Sequence, residues 1–408
     1  MGMYPNGLRV IRDISPELLE TIRNIGAPFR YRRWNSHDGA DTIITAEESV
    51  LSQGQDELES IGISRWRLQQ VLLDHARLQG IPIHLNMTVV DIVTKKDDEN
   101  NELVDITFRD GTHRKTRLLF GADGTHSIVR ELVTRSSSSS STASSSSSSS
   151  KLEYSGVTCV MGLASCPKEE QGICSPSAMT TKCHAVFFPT GDNEQCFQFY
   201  FPVSHEQSDP GNWGTLSDAV GKEECQTLAQ RLRDDGWEER YLQPLEQMTR
   251  SVRIGFCSLQ PYLETWVSNH NKCVLVGDAA HPPLPYTGQG AQMGLEDAGT
   301  VALLLKAYCL EPDGSLNLLD DDQHDNLKRA MHMYEQLRIP RTREVHQCAI
   351  QLGDRQQKRA DNRNYARKQR MMIQRQVFFH ETLPEMLPGA TFDYRLAVER
   401  KVLEDVTL

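Results

Sequence analysis

The sequence predicts an α/β chain, of mixed α+β character, that is interrupted by a β-rich block and closed by a helical tail. Three observations predict it. Up to about residue 120 the pattern runs helix, strand, hairpin. From Tyr154 to Ser258 it turns β-rich, and at Lys272 the α/β character returns with a short apolar strand, a Gly-rich turn and a helix. The expected divisions are residues 1–135 as a first α/β part, 136–150 as a Ser-rich loop, 151–268 as the β-rich domain, 269–350 as a second α/β part, and 351–408 as a helical region.

The elements follow in chain order. At the start, a Pro5-Asn6-Gly7 turn leads into Leu8, Ile11 and Ile14 at helical spacing, like the interior of a domain. A mixed region runs to about Ser60. Leu68, Val71, Leu72 and Leu78 then predict a helix over 64–79, with Ser64 to cap it and Gly80 to end it. Ile83, Leu85, Met87 and Val89 alternate as a strand, and Val104 to Phe108, Asp110-Gly111 and Arg114 to Phe120 predict a hairpin. Residues 136–150, thirteen serines with Thr142 and Ala143, bury too little apolar surface to offset their ordering entropy and are expected to be disordered. His184 to Pro189 and Cys196 to Val203 predict strands around a Gly191-Asp192-Asn193 turn, and Leu228 to Gly236 a helix. Cys273 to Val276 predicts a buried strand, Met293 to Leu310 a helix, and Asn326 to Gln376 a long helical tail.

Composition narrows the function classes. The chain has 408 residues, 38% hydrophobic and 24% charged, with 44 Lys+Arg against 55 Asp+Glu. A net charge of −11 repels polyanions, so nucleic-acid binding has no support. The basic stretch Arg355 to Arg375 nearly lacks aromatics and reads as a solvated helix face. No run reaches the roughly 18 apolar residues of a membrane helix. The ten cysteines include no C-x-x-C pair and read as reduced thiols, with neither a disulfide framework nor a metal site; an intracellular, cytoplasmic location is expected.

Two segments carry candidate chemistry. In Leu118 to Arg130, LLFGADGTHSIVR, a strand stops at small residues that let a ligand approach the backbone. Asp123 there can accept a ribose or ring hydrogen bond beside Gly124, and Arg130 can hold an anion or brace the turn. In Cys273 to Ala298, CVLVGDAAHPPLPYTGQGAQMGLEDA, a strand delivers Gly277-Asp278. Pro282, Pro283 and Pro285 then fix a rigid path. Thr287-Gly288-Gln289-Gly290-Ala291 enters a helix whose free amides suit a phosphate or a developing anion. The Asp278 carboxylate suits ribitol or ribose hydroxyls.

At these residues the chain resembles the flavin-dependent aromatic hydroxylases, single-component FAD monooxygenases of the para-hydroxybenzoate hydroxylase type. GADGTHSIVR resembles their Asp-Gly motif, which serves FAD and NAD(P)H, and VGDAAHPPLPYTGQGA resembles their Gly-Asp motif. Ser64-Arg65-Trp66-Arg67-Leu68 looks like the family's Arg-x-x-Leu helix start, which implies that Arg65 contacts FAD. Tyr334-Glu335-x-x-Arg338-x-Pro340-Arg341 and YPNGLRVI are similar to segments of fungal members. The resemblance implies a Rossmann-like FAD-binding domain in two parts with an inserted β-sheet substrate domain. Its implied cofactor residues are Arg65, Asp123, Gly124, Gly277, Asp278, Pro285, Gly288, Gly290 and Ala291. The family's opening βαβ unit with G-x-G-x-x-G is not in this sequence. About 30 or more residues are therefore expected upstream of the recorded start, unless the chain is a remnant.

The resemblance further implies that NAD(P)H and O₂ are consumed and that one oxygen atom enters an electron-rich small molecule, and the fungal-type relatives imply a place in secondary-metabolite biosynthesis. The cofactor carries that chemistry, so no catalytic side chain is assigned. Pro283 and Pro285 are expected to line the reaction space. His281 reads as a hydrogen-bonded structural histidine, with proton transfer as the alternative. Phe187, Phe188, Phe197, Phe199 and Tyr200 are candidates for the substrate-facing sheet, although alternation puts only half on one face and core packing is the expected role of each. A flavin oxidase or dehydrogenase on the same fold, and a non-catalytic scaffold, stay open as alternatives. Oligomeric state is not legible.

Overall fold

In the computed structural model the described residues are all but 41, 48–57, 97–101, 139–149, 167–171, 179–181, 204–213, 216–217, 319–324, 354–391 and 408. Most of the Ser-rich stretch, and residues 354–391 with the basic run Arg355 to Arg375, lie outside them.

The N-terminal part builds one small core. β1 (Gly2–Met3) leads into α1 (Pro5–Ile14) and α2 (Pro16–Ile25), and β2 (Ala27–Pro28) follows. Pro5 sits in the first turn of α1, where its missing N–H costs nothing, so Pro5-Asn6-Gly7 is helix and not the expected turn. Leu8 and Ile11 are buried, whereas Ile14 is exposed at the helix end. β3 (Tyr31–Ser36), β4 (Thr42–Glu47) and β5 (Ile61–Gly62) precede α3 (Arg65–Leu78). Ser64 does stand at the N-cap of α3, but its side chain makes no capping bond, and Leu78 is exposed. The order β1-β5-β2 makes a small sheet beneath these helices. Gly62 pins it to the larger sheet: a Cβ there would lie 1.9 Å from the Pro189 carbonyl and 2.8 Å from the Phe29 ring. Backbone cannot yield as a flexible side chain does. Gly62→Ala is therefore expected to cost about 1–3 kcal/mol, read as a lower urea midpoint.

Next come β6 (Val89–Lys96), β7 (Glu102–Phe108) and β8 (His113–Thr116), an antiparallel sheet in that order. Two expectations fail here. The alternating run from Ile83 is not a strand: Leu85 is 65% exposed, Asn86 takes φ +60°, and pairing begins only at Val89. Alternation marks a strand only where a sheet face receives it, and a left-handed residue breaks the extended path. The run from Arg114 to Phe120 divides as well, since the hairpin ends at Thr116 and β9 (Leu119–Gly121) joins another sheet.

α4 (Ile128–Ser138) leads into a large antiparallel block: β10 (Lys151–Ser165), β11 (Gly172–Ser177), β12 (His184–Gly191), β13 (Glu194–Pro202) and β14 (Gly214–Thr215). α5 (Asp218–Asp234), which extends the expected helix at Leu228 upstream, α6 (Glu239–Glu246) and β15 (Arg250–Gln260) complete it. The eight strands run β14-β15-β10-β13-β12-β11-β3-β4, so the sheet takes β3 and β4 from the N-terminal part, with β3 parallel to β11. Alternation gives the sheet two faces. Phe187, Phe197 and Phe199 pack under α5 and α6 with Leu228, Leu232, Trp237 and Tyr241. Phe188 packs on Phe29, and of the five aromatics only Tyr200 joins the cluster with Leu284 and Tyr286 on the opposite face.

β16 (Cys273–Leu275) returns beside β9 as its parallel partner. α7 (Gly290–Cys309), α8 (Asn326–Gly353) and α9 (Tyr394–Thr407) finish the chain. The largest core surrounds β9 and β16, with Val129 and Val133 from α4, Leu304 from α7, and Met331 and Tyr334 from α8. The whole β block is thus inserted between two strands that lie side by side. All ten cysteines are free thiols.

Candidate functional site

The site grows from the ends of β9 and β16. Val276 donates its N–H to the Gly121 carbonyl, so both loops leave the parallel pair together. After Val276 the chain turns at once into a 3₁₀ turn, Gly277–Ala279, in which Gly277 has φ +58°. A second left-handed residue, Gly288 at φ +64°, closes a 3₁₀ turn begun by Pro285 and lies against the Tyr4 ring. These two positions need glycine for their backbone. Asp278 is displayed between them, half-buried. Burial raises its carboxyl above the ordinary value; His281 and Arg65 pull it down, while Asp297 adds to the rise. Arg65, exposed at the start of α3, thus shares this field.

Gly290 and Ala291 open α7, and no side chain caps it. The first-turn amides of an uncapped helix are free to meet a ligand. Close by, Thr287 Oγ1, Gln289 Nε2 and Gln292 Oε1 are buried without a protein partner. Buried polar atoms are rarely left so, and this donor–acceptor set fits a large polar ligand such as a flavin nucleotide.

In the Asp-Gly segment the structure puts Asp123 at a helix start and gives Arg130 the bracing role, one of the two the sequence allowed. Asp123 Oδ2 accepts from Ile128 N at 2.8 Å and Val129 N at 3.3 Å, so the carboxylate caps α4. Gly124 takes φ +80° with open space where a Cβ would stand. Arg130 is a brace: it donates to the Ala279 carbonyl at 2.8 Å and to the Thr125 carbonyl, tying the Asp-Gly loop to the Gly277 turn.

The motif that holds Arg338 and Arg341 gives them no role by sequence alone, and Glu296 and Asp297 belong to no site expected from it. All but Arg341 are fully buried. Arg338 donates to Asp297 Oδ1 at 2.7 Å, to Glu296 Oε2 at 2.6 Å and to the Met293 carbonyl at 3.2 Å. Arg341 and Asn6 share the other Glu296 oxygen at 3.3 and 2.7 Å. Asn6 also donates to Gln289 Oε1 at 2.8 Å, which connects the network to the start of α7. For Asp297, burial raises the carboxyl, but His281 and Arg338 outweigh it and the net shift is downward. A buried charged pair is the signal in the sequence: Glu-Asp on α7 and two arginines one helical turn apart on α8.

Against the Pro282–Tyr286 track packs the second face of the large sheet, whose aromatics are buried. His184 stacks on Tyr200 with ring centroids 4.4 Å apart and planes within 5°. Tyr286 lies 5.9 Å and Phe256 5.7 Å from Tyr200. Burial lowers His184 to about 3, so this aromatic wall is uncharged at neutral pH.

Comparison with known proteins agrees with this geometry. Residues 13–336 match the family described as FAD binding domain. A 3-amino-4-hydroxybenzoate 2-monooxygenase of Streptomyces cremeus is 27% identical over 63% of this chain, and the match spans 54% of that relative's own length. The FAD-dependent monooxygenase spyC of Aspergillus fumigatus is 28% identical over 85% of this chain and 69% of its own. Among solved structures, Klebsiella pneumoniae HpxO complexed with FAD and uric acid superposes with a TM-score of 0.70 at 17% identity, over 99% of this chain and 87% of that one, which shows the fold. The mixed α/β fold, the Gly-Asp turn beside an uncapped helix start and the family match agree: the chain belongs to the FAD binding domain family, and the relatives it matches are monooxygenases.

Proposed function

We propose that this chain holds FAD with Arg65, Gly277, Asp278, Pro285, Gly288, Gly290 and Ala291, and oxygenates a small, planar, electron-rich aromatic compound at the expense of NAD(P)H and O₂. One observation carries the reading: the Asp278 turn, the uncapped start of α7 and an uncharged aromatic sheet face converge on the Pro282–Tyr286 track. Bound FAD supplies the oxygen-transfer chemistry. The residues do the rest. Asp278 accepts from ribitol or ribose hydroxyls, and Arg65 offers a cation to the phosphates. The amides of Gly290 and Ala291 stabilise negative charge at the helix start. Asp123 acts at one remove by capping α4, and Gly124 leaves room beside it. His184, Tyr200, Tyr286 and Phe256 stack with the substrate and keep water away.

We read residues 1–135 and 269–350 as the two parts of the FAD domain, and 151–268, joined by β3 and β4, as the substrate domain. A place in secondary-metabolite biosynthesis follows from the likeness to the fungal monooxygenase. An FAD titration of the purified chain tests the cofactor reading; about one FAD per chain is expected, and no binding refutes the assignment. NAD(P)H oxidation should then rise on adding phenolic substrates. Tyr200→Leu is expected to raise KM about 2- to 12-fold with FAD affinity retained, because a stacking partner is worth about 0.5–1.5 kcal/mol.

A further inference from the structure

The Gly277–Asp278 turn is gripped from a single carboxylate. Asp297 Oδ2 accepts the Gly277 N–H at 2.8 Å and lies 2.6 Å from His281 Nε2. It therefore clamps the beginning of the turn by its backbone and the end by a side chain, with Asp278 between. The Gly277 carbonyl closes the same loop by accepting the N–H groups of Ala280 and His281, both at 2.9 Å. Arg338 Nε holds the other Asp297 oxygen at 2.7 Å, which stops the carboxylate from rotating. Asp297 also belongs to α7, two turns beyond Gly290. The clamp thus sets the Asp278 turn and the uncapped helix start in one register.

We propose that His281 and Asp297 are positioning residues that fix the aim of Asp278 against the start of α7, a proposal that rests on the FAD assignment above. His281 is almost fully buried, with Trp266 4.9 Å away between ring centroids. Its carbonyl accepts from His346 Nε2 at 3.1 Å, and burial, with the charge field of His281, lowers His346 to about 4. Packing against Trp266 asks only for volume at residue 281. The bond to Asp297 asks for a donor in the place of Nε2. A glutamine offers an amide N–H near that place, whereas leucine fills the volume and offers none.

The test compares the wild-type chain, His281→Gln and His281→Leu by FAD titration, by the absorbance fine structure of the bound flavin, and by thermal melting without FAD. His281→Leu is expected to weaken FAD binding about tenfold or more and to blur the flavin spectrum, and His281→Gln to stay within about threefold of wild type. The melting temperatures of the two variants should be alike. Wild-type affinity in His281→Leu, or equal weakening in both variants, overturns the positioning role. Failure of the wild-type chain itself to bind FAD overturns the site assignment, and this inference with it.

Discussion

Arg338→Met is expected to lower the unfolding free energy by about 3–5 kcal/mol, the cost of stranding buried charge. The guanidinium is fully buried and satisfies one oxygen each of Asp297 and Glu296, and methionine replaces its volume but neither bond. Glu296 would keep Arg341 and Asn6, and Asp297 would keep His281 and the Gly277 N–H. The pH dependence has a definite sign. The Asp297 carboxyl is held below its ordinary value near 3.8 despite the burial that opposes this, so its ionised form stabilises the native chain. That contribution is present above pH 3.8 and is lost as pH falls through the lower, native value. Without Arg338 much of it disappears. The gap between wild type and variant should be widest near neutrality and narrow below about pH 4. Denaturant unfolding at pH 7 and at about pH 3 measures it; a gap under about 1 kcal/mol at pH 7 contradicts the network's role.

Asp278→Asn is expected to weaken FAD binding by about 10- to 100-fold, since a hydrogen bond from a hydroxyl to a carboxylate is worth about 1.5–3 kcal/mol. The same change should leave the cofactor-free chain as stable as wild type or more so. Burial raises the Asp278 carboxyl; His281 and Arg65 offset only part of this. A carboxyl raised in the native state costs stability wherever it is ionised, and the cost vanishes only at acid pH, where both states are protonated. A neutral amide removes it. Affinity and stability thus move in opposite directions, as expected of a residue kept for binding. Fluorescence titration with FAD and melting of the cofactor-free variant give the two readings. Unchanged affinity, or a loss of stability that matches the loss of binding, contradicts the role.

How much was legible follows from which forces act locally. The strand from Cys273 and the Gly-Asp turn are set by residues next to one another. So are the proline track and the glycines at 288 and 290, and the structure keeps that order. The strands around the Gly191 turn are equally local, and alternation put only half of the five aromatics on one face; the structure places Phe197 and Tyr200 on opposite ones. The exposed run at Ile83 shows the limit of the same rule, because apolar alternation does not say whether a sheet face waits for it. Asp123 shows another: a carboxylate after a strand serves a ligand or a following helix equally well in sequence, and the free amides of α4 took it.

By itself, then, the sequence determined an α/β chain with a β-rich insertion, and the Gly-Asp turn and helix start that are proposed to hold FAD. Local backbone preferences, which act over a few residues, decide those features. The tertiary structure alone decided that β3 and β4 cross into the inserted sheet and that Arg130 braces the Gly277 turn. It likewise decided that Asp297 on α7 joins His281 to Arg338 on α8. Burial makes those charges find one another, since an unpaired ion in the core costs far more than its loop closure. That cost depends on which helices meet in space, and spacing along the chain does not contain it.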